Sequence, residues 1–520
     1  MFEARQYSSQ LWSVCKSNAA LLTAGLNSGR VMLLVKIGKL STVIKTKAGI
    51  VMISPWTALL LPVVPIMIVA TVAYIRKSKK LKPLTGLSPT HSQKGNIPEI
   101  KAARSFHAFL ADLHDNYGPV ATFWYGRRKC CSINSPEHYQ QIETLFDRPV
   151  TLFRYSDILY GEQSVMFTNG TDGRRRHKLY ANAFSHRAVA PLYQTLQQLA
   201  DDVADAWEKL PPGDKIPVMA TMFDYVIRCV TQSIFGDAFK DEAKINKLVE
   251  SYDYVRNNME KVSLGGGDAE QMEKVAKEIV AILDDVIKMR RHRNDDDSDN
   301  YVLFIEVLLG AGLKDDVLRD DARTFLSNAL DKTTSAAAWV LYYLAENPSV
   351  QEKCYAEIDT VLAADEILQT THIGQLRYLR QVMCEALRCS SIVSFTARFN
   401  PYSDTTIGQY SIPKGMPIVS AIGSTNQNEE LFPNPKQFDP ARFDPEHVTL
   451  NGHHCFEPFG FAGNRKCPGF RFAHAQIFTL LVTLLQRFRL RLVPGQNVRK
   501  RYGIVTSPNK EFYITVEKRL

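Results

Sequence analysis

The chain of 520 residues lacks three features that mark familiar classes of protein. It has no internal repeat, no basic stretch interleaved with aromatic residues, and no regular spacing of cysteines. The first absence excludes a repeat protein, and the second argues against a nucleic-acid partner. An odd number of irregularly spaced cysteines indicates reduced thiols and a cytosol-facing body rather than a secreted fold held by disulfides. The nine cysteines stand at positions 15, 130, 131, 229, 354, 384, 389, 455 and 467.

Charge is also absent from one long segment, because residues 48–75 contain no Asp, Glu, Lys or Arg. Its length suits a bilayer span, and Trp56 and Tyr74 are placed like interfacial anchors. A cluster of basic residues follows, which the positive-inside tendency puts in the cytoplasm. We therefore predict a single transmembrane helix over residues 48–75. The basic residues are at positions 76, 77, 79, 80 and 82.

Residues 1–47 form an N-terminal extension with one acid, Glu3, against seven basic residues. This composition resembles a mitochondrial transit segment. We favour an upstream start in the gene prediction, with Met52 as the true initiator of a signal anchor in the endoplasmic reticulum. Residues 76–98 are then expected to form a basic, proline-containing linker, and residues 99–520 the main folded domain.

The body is predicted to be mainly α with a small β portion. Apolar periodicity indicates helices over most of residues 190–390, including one at about 321–344 and one at about 376–389. A strand pair turns at Gly126, and other strand-like segments occur only near the end of the chain. With 45% hydrophobic residues, the chain can bury a large core. Its net charge of +9 suits an acidic protein partner or an anionic membrane surface.

Cys467 lies in the most informative segment, PFGFAGNRKCPGFRFA at 458–473. A cysteine before Pro-Gly and a helical pattern, with Arg465 beside it, is expected to have a lowered pKa and to bind a metal as thiolate. A buried small hydrophobe is the usual alternative for a single cysteine. A zinc site with His453, His454 and Cys455 is disfavoured, because this spacing does not resemble that of paired zinc ligands.

Two further motifs support this interpretation. Glu385 and Arg388 share a helix face, and Arg442 in the downstream segment NPKQFDPARF is expected to complete a Glu–Arg–Arg cluster. Two threonines, Thr333 among them, stand in the middle of the helix at 321–344, where threonine is mildly unfavourable.

With these motifs, the chain resembles the cytochrome P-450 superfamily over about residues 85–520. Segments such as YGPVATFWYGRR at 117–128 are similar to the orphan microsomal family known as family twenty. The resemblance implies a cytochrome P-450 fold and haem b, with Cys467 as the axial iron ligand. It also implies that Arg465, Arg398 and His177 face the haem propionates, that Thr333 delivers protons, and that Glu385, Arg388 and Arg442 have a structural role.

This chain departs from the family pattern at three places. Gly460 replaces the phenylalanine seven residues before the cysteine, and His177 follows Gly173 where the family has a tryptophan and an arginine. In the central helix, Leu330 replaces the usual glycine and Lys332 replaces the usual acid. Asp331 is one residue away from the acid position and is expected to point elsewhere on the helix.

The resemblance implies a membrane-anchored monooxygenase that inserts one oxygen atom from O2 into a lipophilic small molecule. Electrons would come from NADPH through an acidic flavoprotein reductase that docks near Cys467, on a basic rim formed by Arg465, Lys466 and Arg471. The departures at Leu330 and Lys332 leave two alternatives open. One is an isomerase or peroxide-using variant, and the other is a haem-binding protein without turnover.

Overall fold

The protein is represented by a computed structural model that describes residues 42–46, 49–53, 81–239, 241–263, 266–292, 303–363, 366–445, 456–460 and 465–519. The chain divides into two compact units, Met1–Lys82 and Pro83–Leu520. In the first unit, strands β1 (Thr42–Thr46) and β2 (Gly49–Ile53) form an antiparallel pair. The predicted helix over 48–75 is therefore wrong for residues 49–53. Their β-branched residues Ile50, Val51 and Ile53 favour a strand.

Among the described residues, no helix has the length and apolar character needed to cross a membrane. Residues 54–80, which hold most of the predicted anchor and the first five residues of the predicted linker, lie outside the described residues. The same is true of residues 1–41, which hold most of the predicted N-terminal extension.

The second unit is mainly helical, as predicted. Its first helices, in chain order, are α1 (Ile97–Ala102), α2 (Phe106–Tyr117), α3 (Pro136–Gln141), α4 (Asp157–Tyr160), α5 (Gly170–Ala183), α6 (His186–Val189), α7 (Tyr193–Glu208), α8 (Val218–Phe235) and α9 (Glu242–Ser263). The others are α10 (Ala269–Arg291), α11 (Phe304–Gly310), α12 (Asp315–Glu346), α13 (Pro348–Val361), α14 (Thr370–Ile373), α15 (Arg377–Ser390), α16 (Ile422–Thr425) and α17 (Phe470–Arg487).

Short strands form the small β portion. They are β3 (Val120–Tyr125), β4 (Arg128–Ile133), β5 (Ile216–Pro217), β6 (Thr396–Arg398), β7 (Thr405–Ile407), β8 (Tyr410–Ile412), β9 (Ile418–Ser420), β10 (Phe488–Leu492), β11 (Lys500–Arg501), β12 (Ser507–Pro508) and β13 (Tyr513–Lys518). The largest sheet has the order β3-β4-β9-β6, and a second has the order β10-β13-β5. The predicted turn at Gly126 is confirmed, since β3 and β4 pair antiparallel around it and its φ is 60°.

The long helix α12 runs through the core and organises the site. It spans 32 residues and contains the helix that was predicted at 321–344. Buried residues occur along most of its length, because α8, α10 and α15 pack against it on several sides. Asp315 and Asp316 in its first turn interact favourably with the partial positive charge of the helix N-terminus.

Helices α15 and α17 complete the frame. The predicted helix at 376–389 agrees with α15 to within one residue at each end. Helix α17 begins just after Pro468 and Gly469, and its apolar residues join the same core as α12. This arrangement brings the segment that carries Cys467 to a cavity that α12 also lines.

Candidate functional site

An internal cavity of about 310 Å3 is lined by α5, α12, β6 and the segment that leads into α17. Its wall is mostly apolar, and it includes Phe153, Phe325, Ile392 and Phe395. A cavity of this size with a few polar groups has the character of a small-molecule or cofactor site. The sequence-predicted residues that line it are Cys467, Arg465, Arg398, His177 and Thr333.

Cys467 lies at the cavity wall, immediately before α17. Its backbone N–H donates to the Phe459 carbonyl oxygen at 2.9 Å. Burial raises the pKa of the Cys467 thiol, although the Gly469 N–H and the positive charges of Lys332 and Arg148 act in the opposite direction. The expectation of a lowered pKa is therefore wrong for the protein without a metal, because loss of solvation outweighs the nearby positive groups. A bound metal ion would itself displace the thiol proton.

Phe459 contacts Cys467 through its backbone carbonyl oxygen, which accepts from the Cys467 N–H. Its ring packs edge-on against His474 at 4.8 Å and lies 6.1 Å from the ring of Phe470. Gly460, at the usual phenylalanine position, has a φ of 92°, which a residue with a side chain rarely adopts. The neighbouring aromatic residue Phe461 lies outside the described residues.

Buried cations surround the cavity without a counter-charge on its wall. Burial, reinforced by repulsion from neighbouring arginines, lowers the pKa of Arg465 to about 8 and that of Arg398 well below its usual value. Burial also lowers the pKa of Arg148 to about 10. No Asp or Glu is among the described residues that line the cavity. The Arg148 Nε is buried without a hydrogen-bond partner. An anionic group such as the two propionates of haem fits this set of cations.

Arg148 is a residue that sequence reasoning missed. It stands in FDRP, a short segment with no helical or strand-like period around it. The fold brings it into the cavity wall together with Arg398, which is 250 positions away in sequence but lies on β6. Its charge before a proline was the only available signal, and this signal is not specific.

Arg465 and His177 connect the Cys467 segment to neighbouring elements. The Arg465 guanidinium donates to the carbonyl oxygens of Phe146 at 3.2 Å and Val165 at 2.9 Å, and it also donates to that of Thr168. His177 Nε2 donates to the Lys466 carbonyl oxygen at 2.8 Å, and burial lowers the pKa of this imidazole to about 4. These bonds position the loop against α5.

Arg465 does not belong to the exposed basic rim on which the reductase was expected to dock. Its side chain is only 6% exposed, because its donors are used by backbone carbonyl groups inside the protein. Lys466 is more accessible, with a side-chain exposure of 38%, and its Nζ lies 5.0 Å from the Phe470 ring. Arg471 covers the same ring at 4.3 Å. The basic rim is thus reduced to Lys466 and Arg471.

Arg398, the other predicted propionate partner, lies on β6 and is 5% exposed. It donates to the Ala397 carbonyl oxygen at 2.8 Å and to Thr396 Oγ1 at 3.1 Å, both through Nη1. These two bonds leave most of the guanidinium donors available to a bound anion.

The predicted Glu–Arg–Arg cluster is present. Arg388 Nε and Nη2 both donate to the Glu385 carboxylate at 2.7 Å, and Arg442 Nε lies 3.3 Å from Glu385 Oε1. Glu385 and Arg388 are fully buried. Arg388 also donates to the carbonyl oxygens of Asn426 at 2.8 Å and Pro435 at 2.9 Å. The cluster therefore fastens α15 to the chain that follows α16.

Some residues of α12 line the cavity, and others are buried in the core. Thr333 and Lys332 line the cavity, whereas Leu330 is fully buried and does not. Asp331 pairs with Arg256 of α9, its Oδ1 lying 3.6 Å from the guanidinium Nε. The prediction that Asp331 points elsewhere on the helix is thus confirmed, and no carboxylate of this segment reaches the cavity.

The structure does not test the disfavoured zinc site. His453, His454 and Cys455 lie outside the described residues. Within the described part of the chain, no group of three or more His, Cys, Asp or Glu side chains is arranged to hold a metal ion.

The cavity thus combines a half-buried cysteine just before a helix, cations without counter-charge and a threonine on a long core helix, which is the set of residues expected of a haem-thiolate site. A family model described as Cytochrome P450 matches residues 86–516. The chain belongs to the cytochrome P450 family, whose members are haem-thiolate monooxygenases and use haem b.

Two relatives and one solved structure make this assignment more specific. The chain is 31% identical over 452 residues to Cytochrome P450 20A1 from Bos taurus, with 85% of this chain and 94% of that protein covered. Identity to Cytochrome P450 20A1 from Homo sapiens is 29% over 458 residues, with the same shares covered. The resemblance to family twenty is therefore confirmed. The heme domain of cytochrome P450DA matches with a TM-score of 0.73 at 20% identity, covering 85% of this chain and 98% of that chain, which shows the fold.

Proposed function

We propose that this protein is a membrane-anchored monooxygenase in which Cys467 is the thiolate ligand of the haem iron. The observation that carries the proposal is the position of Cys467. It is the only described cysteine on the wall of a cavity that also contains Thr333 and buried cations. When bound, the haem supplies the activation of O2 and the transfer of one oxygen atom to the substrate.

The protein's own residues hold the cofactor and exclude water. Arg148, Arg398 and Arg465 would neutralise the propionates, and His177 supports the loop by its bond to Lys466. The cluster of Glu385, Arg388 and Arg442 would keep α15 and the chain that follows α16 in one geometry while haem binds.

Thr333 is proposed to hold and move protons at its Oγ1 inside the cavity. Its side chain lies on the cavity face of α12, next to Lys332. Because Asp331 is paired with Arg256, the carboxylate that stands beside this threonine in the family pattern has no counterpart in the cavity. Proton supply is therefore the part of the reaction in which this chain differs from the family pattern.

The proposed substrate is lipophilic, since most of the cavity wall is apolar. A membrane anchor in the remaining part of the predicted segment, residues 54–75, would deliver such molecules from the bilayer, in the endoplasmic reticulum with the catalytic domain facing the cytosol. NADPH would supply electrons through a flavoprotein reductase, which would dock on Lys466 and Arg471 by charge complementarity. The mature N-terminus can be read by mass spectrometry. A start at Met52 would support the endoplasmic reticulum, whereas cleavage within residues 1–47 would support a mitochondrial location.

A peroxide-using or isomerase variant is the second candidate. The observation that favours it is Lys332 in the cavity and Leu330 beside it in the core, at the positions of the usual acid and glycine. A haem-binding protein without turnover is the third candidate, and it rests on the same two residues.

One experiment separates the three. The full chain is reconstituted in lipid with a flavoprotein reductase, NADPH, isotopically labelled dioxygen and a panel of lipids. The proposal predicts one labelled oxygen atom per product molecule and no product without NADPH. Product formed from hydrogen peroxide alone supports the second candidate. A protein that binds haem but never oxidises NADPH or converts a lipid contradicts the first two.

A further inference from the structure

Lys332 places an ammonium group on the wall of an otherwise largely apolar cavity. Its Nζ donates to the Asn328 amide oxygen, one helical turn away on the same face of α12. That amide is itself fixed, because Asn328 Nδ2 donates to the Thr324 carbonyl oxygen at 2.7 Å. Lysine has three N–H donors. Within the described residues, no hydrogen-bond partner is found for the other two.

The residue that would ordinarily neutralise Lys332 faces away from the cavity. Asp331 is adjacent in sequence, but its carboxylate pairs with Arg256 and lies beside Tyr252 on α9. No Asp or Glu is found among the described residues of the cavity wall. Asp331 and Cys467 favour the charged form of the half-buried Lys332 from a distance, but neither is a hydrogen-bond partner of its ammonium group. A bound anion would compensate this ammonium directly.

The cavity also has more positive charges than the haem propionates can neutralise, so that a further anion could bind. Four cationic side chains line it, namely Arg148, Arg398, Arg465 and Lys332. The haem that we propose carries two propionates. Arg398 lies on β6 and Arg465 precedes α17, whereas Lys332 lies on α12. Two propionates cannot neutralise four cations, and Lys332 is the one on the helix that also carries Thr333.

We propose that the cavity binds lipophilic molecules that carry a carboxylate, and that Lys332, held by Asn328, pairs with this carboxylate. The proposal rests on the proposed function, because it assigns the substrate class of the same cavity. Apolar residues such as Phe325 and Ile392 would contact the hydrocarbon part. Burial lowers the pKa of Lys332 to about 8, so that the ammonium form still predominates at neutral pH.

The test compares binding of dodecanoic acid with that of three probes of the same chain length: dodecanol, dodecylamine and methyl dodecanoate. Binding to the haem-loaded full chain is measured by equilibrium dialysis with labelled ligand, which does not depend on turnover or on the haem spectrum. Wild-type protein is expected to bind the acid about tenfold or more tightly than the alcohol, since hydrogen bonds to charged groups contribute about 1.5–3 kcal/mol.

The variants Lys332→Met and Lys332→Arg isolate the role of the charge. Lys332→Met is expected to abolish the preference for the acid while binding of the alcohol is kept, and Lys332→Arg is expected to retain a preference. Lys314→Met is the matched control, because Lys314 is exposed at the start of α12. An unchanged preference in Lys332→Met overturns the proposal.

Two other results bear on competing roles of Lys332. If the ferric wild-type protein has a nitrogen-ligated spectrum that Lys332→Met abolishes, Lys332 is an iron ligand and the proposal is wrong. Failure of the proposed function would appear differently, as the absence of a thiolate-type CO spectrum or of labelled product. The preference for the acid, measured by dialysis, is independent of both readouts.

Discussion

The two walls of the cavity follow the family pattern to different degrees. On the side of Cys467, the cysteine, the arginine two residues before it and the Glu385–Arg388–Arg442 cluster are all in place. On the side of α12, Leu330 and Lys332 occupy the positions of the usual glycine and acid, and Asp331 pairs with α9. The Cys467 side thus keeps its main motifs and departs from the pattern only at Gly460 and His177, whereas the motif of α12 is altered at two of its positions. The departures that bear on proton supply are those on the α12 side, at Leu330 and Lys332.

The largest expected effect comes from a substitution in the Glu385–Arg388–Arg442 cluster on the Cys467 side. Glu385→Gln removes the charge that two arginines share at a fully buried position. Breaking a buried ion pair by removing one partner costs about 3–5 kcal/mol, because the remaining charge is left uncompensated. We expect loss of most of the folded, haem-loaded protein, measured as yield and as the midpoint of urea unfolding.

The chain offers a matched control at the surface. Asp172 and Arg175 have the same i,i+3 spacing, but their side chains are 53% and 55% exposed. Asp172→Asn is expected to change the free energy of unfolding by less than about 1 kcal/mol. Equal destabilisation by the two substitutions would mean that the buried cluster has no special role.

The next effect concerns Thr333 on the α12 side. Thr333→Ala removes a hydroxyl from the cavity and is expected to lower product formed per NADPH consumed by about tenfold or more, as for loss of a proton-transfer group. The control is Thr334→Ala, since Thr334 is buried and does not line the cavity. If both variants couple NADPH to product as the wild type does, Thr333 has no part in proton supply.

A smaller effect is expected when Asp331 is replaced. This variant distinguishes a role of Asp331 in stability, through its pair with Arg256, from a role in the chemistry of the cavity. Asp331→Asn weakens the contact with Arg256 and should lower the free energy of unfolding by about 1–2 kcal/mol. Product formation by the folded fraction should stay within about twofold of wild type, because Asp331 does not line the cavity. A large loss of product per folded molecule would place Asp331 in the proton path after all.

The smallest expected effect is on the pH dependence of stability, and it concerns His114, which does not line the cavity. His114 is 4% exposed, and its Nδ1 lies 2.8 Å from the Gly118 carbonyl oxygen while its Nε2 lies 2.8 Å from Ser132 Oγ. Burial lowers its pKa to about 4, from the value of 6.5 of an exposed histidine. Between these two pH values the unfolded chain binds a proton that the folded chain does not. Stability is therefore complete above pH 6.5 and decreases as the pH falls towards 4.

Replacing His114 should make the free energy of unfolding less dependent on pH. Between pH 7.5 and 5.5, His114 should account for about 1 kcal/mol of lost stability. His114→Gln should remove that share from the difference between urea unfolding midpoints at the two pH values. The same pH dependence in wild type and variant would show that His114 is not kept neutral by the fold.

The parts of the site that could be predicted are those that depend on residues close together in the sequence. The Cys467 segment, the Glu385–Arg388 pair and the helix with Thr333 each depend on residues a few positions apart, where helical spacing fixes which side chains meet. Arg442 was added from a motif that the family shares. The order of helices and the β3–β4 turn follow from apolar period and Gly126 in the same way.

What was missed depends on contacts between distant parts of the chain. The pairing of Asp331 with Arg256 joins two helices, and Arg148 reaches the cavity only through the fold. The pKa of Cys467 was expected to be lowered because its charged neighbours can be read from the sequence. The extent of its burial, which reverses the direction, cannot.

Binding of the haem iron by Cys467 can be tested with the spectrum of the reduced, CO-bound protein. We predict a thiolate-type Soret band in wild type and in the control Cys384→Ala, whose cysteine lies on α15 and does not line the cavity. We predict loss of that band in Cys467→Ala. A thiolate-type band that persists in Cys467→Ala, or its absence from the wild type, would show that Cys467 is not the iron ligand.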